Sequence, residues 1–163
     1  MLRLLNRVAW WFAIVGGVVA TAIALMVLVS IVGRAAMAAP IPGDVEITQF
    51  GIALVISLCL PWCQLHGGNI MVDFFTQRLP ARQVRWLDAF GALMLAAMAA
   101  LLSWRTAVGA IASKQTLEAT MILELPTWWT YASLAPGLAL TSLIALVQAL
   151  LHASGRSLEA MRS

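Results

Sequence analysis

No charged residue lies between Arg7 and Arg34. A helix needs about 20 apolar residues, at about 1.5 Å each, to cross the hydrocarbon of a bilayer. This run is longer than that. Further apolar runs cover 45–65, 86–111 and 127–151. A water-soluble chain of 163 residues cannot bury so much, because too much of a small fold is surface. Composition agrees: 62% of residues are hydrophobic and 10% charged, with a mean hydropathy of +0.91. Soluble domains carry about 25% charged residues. The sequence predicts an all-α integral membrane protein, one membrane domain over 1–163, with four spans at about 8–33, 45–65, 86–111 and 127–151 paired as two hairpins.

The N-terminus imitates a secretory signal, with Arg3 and Arg7, an apolar stretch, then Ala36-Met37-Ala38. A signal's apolar core is about 7–15 residues. The longer run here predicts a retained span. Pro40, Pro42 and Gly43 break the chain after it. Asp44 and Glu46 follow, where the positive end of a helix dipole favours carboxylates. Pro61 is expected to kink or end the second span. Pro136 and Gly137 interrupt the fourth, where membrane helices tolerate them.

Between the halves lies His66–Arg85, the longest break in polarity, with Gly67-Gly68, Pro80, Arg78, Arg82 and Arg85. Ile70, Met71, Phe74 and Phe75 recur at helical spacing, with Asp73, Gln77 and Arg78 elsewhere on the wheel. The pattern predicts a short amphipathic helix near 69–79 in the headgroup layer, or else a plain loop. A second polar connection runs from Lys114 to Pro126, where Leu117, Met121 and Ile122 hint at another short helix. Gly91, Ala92, Ala96, Ala99 and Ala100 offer small residues for close helix contact in the third span.

Charge sets the threading. Four spans put both termini on one side, with Arg3, Arg7, Arg78, Arg82, Arg85, Arg156 and Arg162. Arg34, Lys114 and Arg105 fall towards the other. The positive-inside rule makes the richer side, and both termini, cytoplasmic. Trp10, Trp11, Trp62 and Trp86 then mark inner ends, and Trp104, Trp128 and Trp129 outer ones, as an aromatic belt requires. The prolines at 42 and 126, each soon followed by a glycine, echo one another as a parallel repeat would. Chance likeness explains the echo equally well.

The net charge of +3 does not mark a nucleic-acid binder, because the basic residues cap helices and form no patch with interleaved aromatics. Ionisable residues at membrane depth are functional candidates by default, and this chain has almost none. Asp88 lies near the inner end of the third span and Arg105 near its outer end. Each can snorkel, and Arg105 can pair with Glu46, Glu118 or Glu124. Cys59, Cys63 and His66 share a helix face, but they lack a fourth metal ligand, and free cysteine is a common apolar residue. His66 and His152 offer an alternative, a haem held between helices in a small membrane cytochrome. No phosphate-binding loop G-x-x-x-x-G-K-[ST] and no nucleophile with a base partner is evident. A non-enzymatic scaffold without cofactor or metal is expected.

Three stretches carry a resemblance. They are Ile41-Pro42-Gly43-Asp44-Val45-Glu46, then Gly67-Gly68-Asn69-Ile70-Met71-Val72-Asp73 with Arg78-Leu79-Pro80, then Leu125-Pro126-Thr127-Trp128-Trp129-Thr130-Tyr131. In their order and spacing the chain resembles the small (Q-type) membrane subunit of tripartite ATP-independent periplasmic (TRAP) transporters, over nearly its whole length. The resemblance implies a non-catalytic subunit of a secondary transporter in the bacterial inner membrane. A periplasmic binding protein would deliver a carboxylate-bearing solute. A large elevator subunit would carry it, usually with sodium, and this subunit would brace the large one in a stable heterodimer among membrane lipids. Gly68, Asn69, Asp73, Arg78 and Pro80 would form the family-like inner loop. From their placement on the outer connections, Asp44, Glu46, Glu118 and Glu124 are candidates for docking the binding protein.

Overall fold

The computed structural model describes residues 2–37, 41–67 and 80–154. The interfacial helix expected near 69–79 lies outside them, as do Gly68, Asn69, Asp73 and Arg78. Four helices dominate: α1 (Leu2–Met37), α2 (Asp44–His66), α3 (Ala81–Gln115) and α4 (Trp128–Ser154). Each is long and apolar enough to cross a membrane. The two longest have 36 and 35 residues, about 54 and 52 Å at the helical rise. They outrun the hydrocarbon because a helix's own hydrogen bonds do not stop where the apolar residues do.

Backbone chemistry explains the ends. Gly43, at φ 75°, precedes Asp44 and Glu46 in the first turn of α2. Gly67, at φ 66°, closes α2 by returning its N–H to the carbonyls of Cys63 and Gln64. Extended Pro80 precedes α3. Pro61 does not end α2, which runs on to His66. The short helix hinted at by Leu117, Met121 and Ile122 does not form. Leu117 adopts φ 54° and Glu124 φ 53°, outside the right-handed helical region. Turns replace the helix, closed by one isolated antiparallel bridge between Ala119 and Pro126.

Side-chain pairings give the packing. Along α1, Gly16 meets Leu58 and Cys59, Ile23 meets Gly51, and Ser30 meets Asp44. Positions rise in α1 as they fall in α2, so the two run antiparallel. Ser103 with Ala135 and Ser142 with Ala96 pair α3 and α4 the same way. Ser57 with Gly137 and Gln64 with Gln148 rise together, so α2 and α4 are parallel. Main contacts follow the order α1–α2–α4–α3. In the spanning windows, 39% of α4 is buried but 6% of α1, so the flanking helices expose long apolar sides.

The buried apolar core joins Ala9, Leu65 and Ile144, with Trp62, Leu140, Val147 and Leu151 packed against them. On α3 the buried small residues are Ala89, Ala96 and Ala99. Gly91 and Ala100 face away from the contact. Lipid is as apolar as leucine, so close approach and hydrogen bonds hold these helices together.

Candidate functional site

Four polar seams tie this apolar fold together, and three of them join segments distant in sequence. At the outset of α2, Ser30 Oγ donates to Asp44 Oδ2 at 2.5 Å, and Arg34 lies 3.3 Å from the same oxygen. The Ile41 N–H donates to Ser30 Oγ at 3.3 Å. Ser30 is 1% exposed, so this seam ties the last turns of α1 to the first of α2 inside the contact.

Two residues on, Glu46 is buried under the α3–α4 connection. Its carboxylate accepts the Ile122 N–H at 2.8 Å on one oxygen and the Leu123 N–H at 2.9 Å on the other. Leu123 lies over Gly43, where an added Cβ would sit 2.4 Å from its Cγ. Within the connection, Thr120 Oγ1 accepts the Leu125 N–H, and the Thr120 N–H donates to the Leu125 carbonyl, both at 3.0 Å. The connection is thus a folded cap pinned across the end of α2. It exposes Leu117 (85%), Met121 (100%) and Ile122 (62%).

About a third of the way along α4, Pro136 sits inside the continuous helix and lacks an N–H. Ser57 of α2 sits against that turn: its Oγ accepts the Gly137 N–H at 3.1 Å and lies 3.5 Å from the Leu134 carbonyl. From α3, Ser103 Oγ donates to the Ala135 carbonyl at 2.9 Å. Neighbouring helices thereby occupy the backbone polar groups around the proline, as the bilayer interior demands. Gly137 is required by closeness, since a Cβ there would lie 1.9 Å from the Ser57 carbonyl oxygen.

The fourth seam is an amide pair. Gln64 Nε2 donates to Gln148 Oε1 at 2.6 Å, and Gln148 Nε2 donates to the Gln64 carbonyl at 2.9 Å. Both side chains are buried between α2 and α4.

The expected residues divide. Asp44 and Glu46 are held by other parts of the chain, whereas Glu118 and Glu124 are exposed. Glu46 meets backbone amides rather than Arg105, which is exposed on α3. Among the described residues, the ion pair formed is Arg34 with Asp44. The reason is distance along the helix: Ser103 pairs with Ala135, so Arg105, two residues on in the antiparallel α3, stands about level with Ser133, below the cap. The His66 ring packs on Trp62, 3.8 Å between centroids, with Nδ1 3.2 Å from the Trp62 carbonyl oxygen. Cys59 and Cys63 are half-buried, and Cys59 Sγ lies against Gly16. Among the described residues, no group of three or more histidine, cysteine or acidic side chains could hold a metal ion.

Sequence reasoning overlooked Ser30, Ser57, Ser103, Gln64 and Gln148. These side chains carry no charge, so they do not stand out among ionisable groups at membrane depth. The signal was there: glutamines at 64 and 148, near the C-terminal ends of alternate spans, are costly in hydrocarbon unless they find partners.

Residues 23–155 match the family described as "Tripartite ATP-independent periplasmic transporters, DctQ component". No curated protein and no solved structure matches the chain. The family match gives no support to a haem between His66 and His152.

Proposed function

We infer the role of this chain from its family: it belongs to the DctQ component of tripartite ATP-independent periplasmic transporters, and it is an integral protein of the inner membrane. In our reading it is the small permease subunit. It forms a stable heterodimer with the large membrane subunit and braces that subunit while the latter moves solute and ion. Uptake is driven by an ion gradient, with sodium as the coupling ion. The solute carries a carboxylate and arrives on a periplasmic binding protein. Both termini are cytoplasmic, so the 116–127 connection faces the periplasm.

One observation carries this reading. Polar side chains between α2 and α4 are taken up by the neighbouring helix, Ser57 on Gly137 and Gln64 on Gln148, while the flanking helices expose apolar sides. A carrier acting alone needs polar or broken helices that open on a midplane cavity. Here α4 runs unbroken through Pro136, and α2 and α3 supply hydrogen bonds to the turn around it. What remains outward is a broad apolar wall suited to a membrane neighbour.

The test is reconstitution in proteoliposomes with an inward sodium gradient, a binding protein and a labelled carboxylate. Uptake is expected only when this chain and the large subunit are both present. Sodium-driven uptake by this chain alone, or full uptake by the large subunit alone, would overturn the assignment.

A further inference from the structure

Arg105 is a charge set in an apolar belt. It is exposed on α3, and the exposed side chains on either side of it, Leu101, Trp104, Val108 and Ile111, are apolar or aromatic. The helix pairings give its height. Ser103 bonds to Ala135, Ser57 to Gly137, and Ile23 lies on Gly51. Carried across the four helices, these pairings set Arg105 about level with Ser133 of α4, Ala53 of α2 and Thr21 of α1. Thr21 is midway along the uncharged run from Arg7 to Arg34. One flank thus carries a guanidinium at the height where the other is farthest from any charge. The nearer end of α3 is its C-terminal one. The Cα–Cβ bond of a helical residue tilts towards the N-terminus, so the Arg105 side chain sets out towards the membrane interior. Among the described residues no carboxylate pairs with it. A charge at such depth is kept by an opposite charge or by water.

We propose that Arg105 is a phosphate site for a phospholipid of the leaflet nearer the C-terminal end of α3. The inference rests on the membrane assignment alone, and not on which side of the membrane that end faces. Three observations select a lipid phosphate. The first is chemical: a guanidinium forks onto phosphate oxygens. The second is the company it keeps. Trp104 is 66% exposed beside it. Tyr131 packs by Gly109, which shares the face of Arg105 one turn on. Tryptophan and tyrosine carry an apolar ring with a polar tip, and they mark headgroup level. The third is length. Asp88 and Arg105 are about 26 Å apart along α3, and Arg7 and Arg34 about 40 Å apart along α1. The hydrocarbon is about 30 Å thick, so α3 presents it with too short an uncharged interval. A bilayer meets a short interval by thinning, which brings phosphates down to Arg105. A carboxylate on a spanning protein neighbour would first have to be desolvated at the same depth. A lipid phosphate arrives with its own leaflet, and its acyl chains lie along exposed Leu101 and Trp104.

The test is native mass spectrometry of the full chain, alone and with the large subunit, delipidated in mild detergent. It is titrated with phosphatidylglycerol or with a phosphate-free galactolipid of the same acyl chains. The unaltered chain is expected to half-saturate with phosphatidylglycerol at about a tenth of the galactolipid concentration, the scale of one charge-assisted contact. Arg105→Gln should abolish that preference. Arg105→Lys, which keeps the charge without the fork, should keep part of it. The unfolding midpoint should not move in either variant. Equal binding of the two lipids by the unaltered chain needs no variant to read and would overturn the site, as would a preference that Arg105→Gln retains. Displacement of the lipid by equimolar inorganic phosphate would make free phosphate the ligand. A preference shown by the chain alone but lost in the complex, with weaker co-purification of Arg105→Gln, would make a carboxylate of the large subunit the partner. Either result would overturn the lipid.

Discussion

The carboxylate of Glu46 accepts the backbone N–H of Ile122 across 76 positions of chain. It takes the Leu123 N–H as well, so a single acidic residue in the first turn of α2 shapes the connection between α3 and α4. A carboxylate is suited to this task, having two acceptor oxygens and no donor. Two adjacent N–H groups pointing one way need both.

Glu46→Gln tests that requirement. The glutamine offers one acceptor and an NH2 group, so one of the two amides must face a donor. Hydrogen exchange at Ile122 and Leu123 is expected to quicken, with the α4 amides beyond Gly137 unchanged. Equal protection in the variant would mean that packing of Leu123 alone holds the cap.

Gly137→Ala probes the closest approach of α2 and α4. Its methyl group would sit 1.9 Å from the Ser57 carbonyl oxygen and 2.3 Å from the Ser57 hydroxyl. The helices must part, and overpacking of this kind costs about 1–3 kcal/mol or more. A fall in the unfolding midpoint in mild detergent is expected. Ser57→Ala should cost less, about 1 kcal/mol, the usual scale of one interhelical hydrogen bond. If Gly137→Ala unfolded no earlier than the unaltered chain, the contact would be ruled out.

The glutamine pair calls for a double-mutant cycle. Gln148→Leu removes both hydrogen bonds to Gln64, one to its side chain and one from its partner amide to its carbonyl. We expect a loss of about 1–2 kcal/mol from stranding a buried amide. Gln64→Leu with Gln148→Leu should cost less than the sum of the single changes. Strict additivity would show that the two amides do not support one another.

Gly43→Ala examines the hinge under the cap. Alanine at φ 75° pays the left-handed penalty of about 1–2 kcal/mol, and its methyl group would press into Leu123. Faster proteolysis within the 116–127 connection is the expected readout. Cleavage no faster than in the unaltered chain would show that Leu123 is displaced easily.

Apolar length and the charge gaps were enough to predict four helices, because the bilayer imposes length and polarity on each helix separately. Gly43 and Gly67 were visible as breakers, and the prolines at 61 and 136 as strains on their spans. The short helix expected from Leu117, Met121 and Ile122 failed for a physical reason. Its periodicity was real, but capture of the Ile122 and Leu123 amides by a residue 76 positions away favours turns over a helical ladder. The pairing of Arg105 with Glu46 failed similarly, since opposite charge says nothing about height along a packed helix.

By itself, then, the sequence determined the solvent this chain lives in, the number of its spanning helices and the family to which it belongs. All of these depend on properties that each segment carries alone. Tertiary structure alone decided the order α1–α2–α4–α3, the union of Ser57 with Gly137 and of Gln64 with Gln148, and the apolar face of the cap. In lipid, burial of apolar surface does not rank one helix arrangement above another. The choice falls to close contacts and a few hydrogen bonds between residues about eighty positions apart, which no local pattern announces.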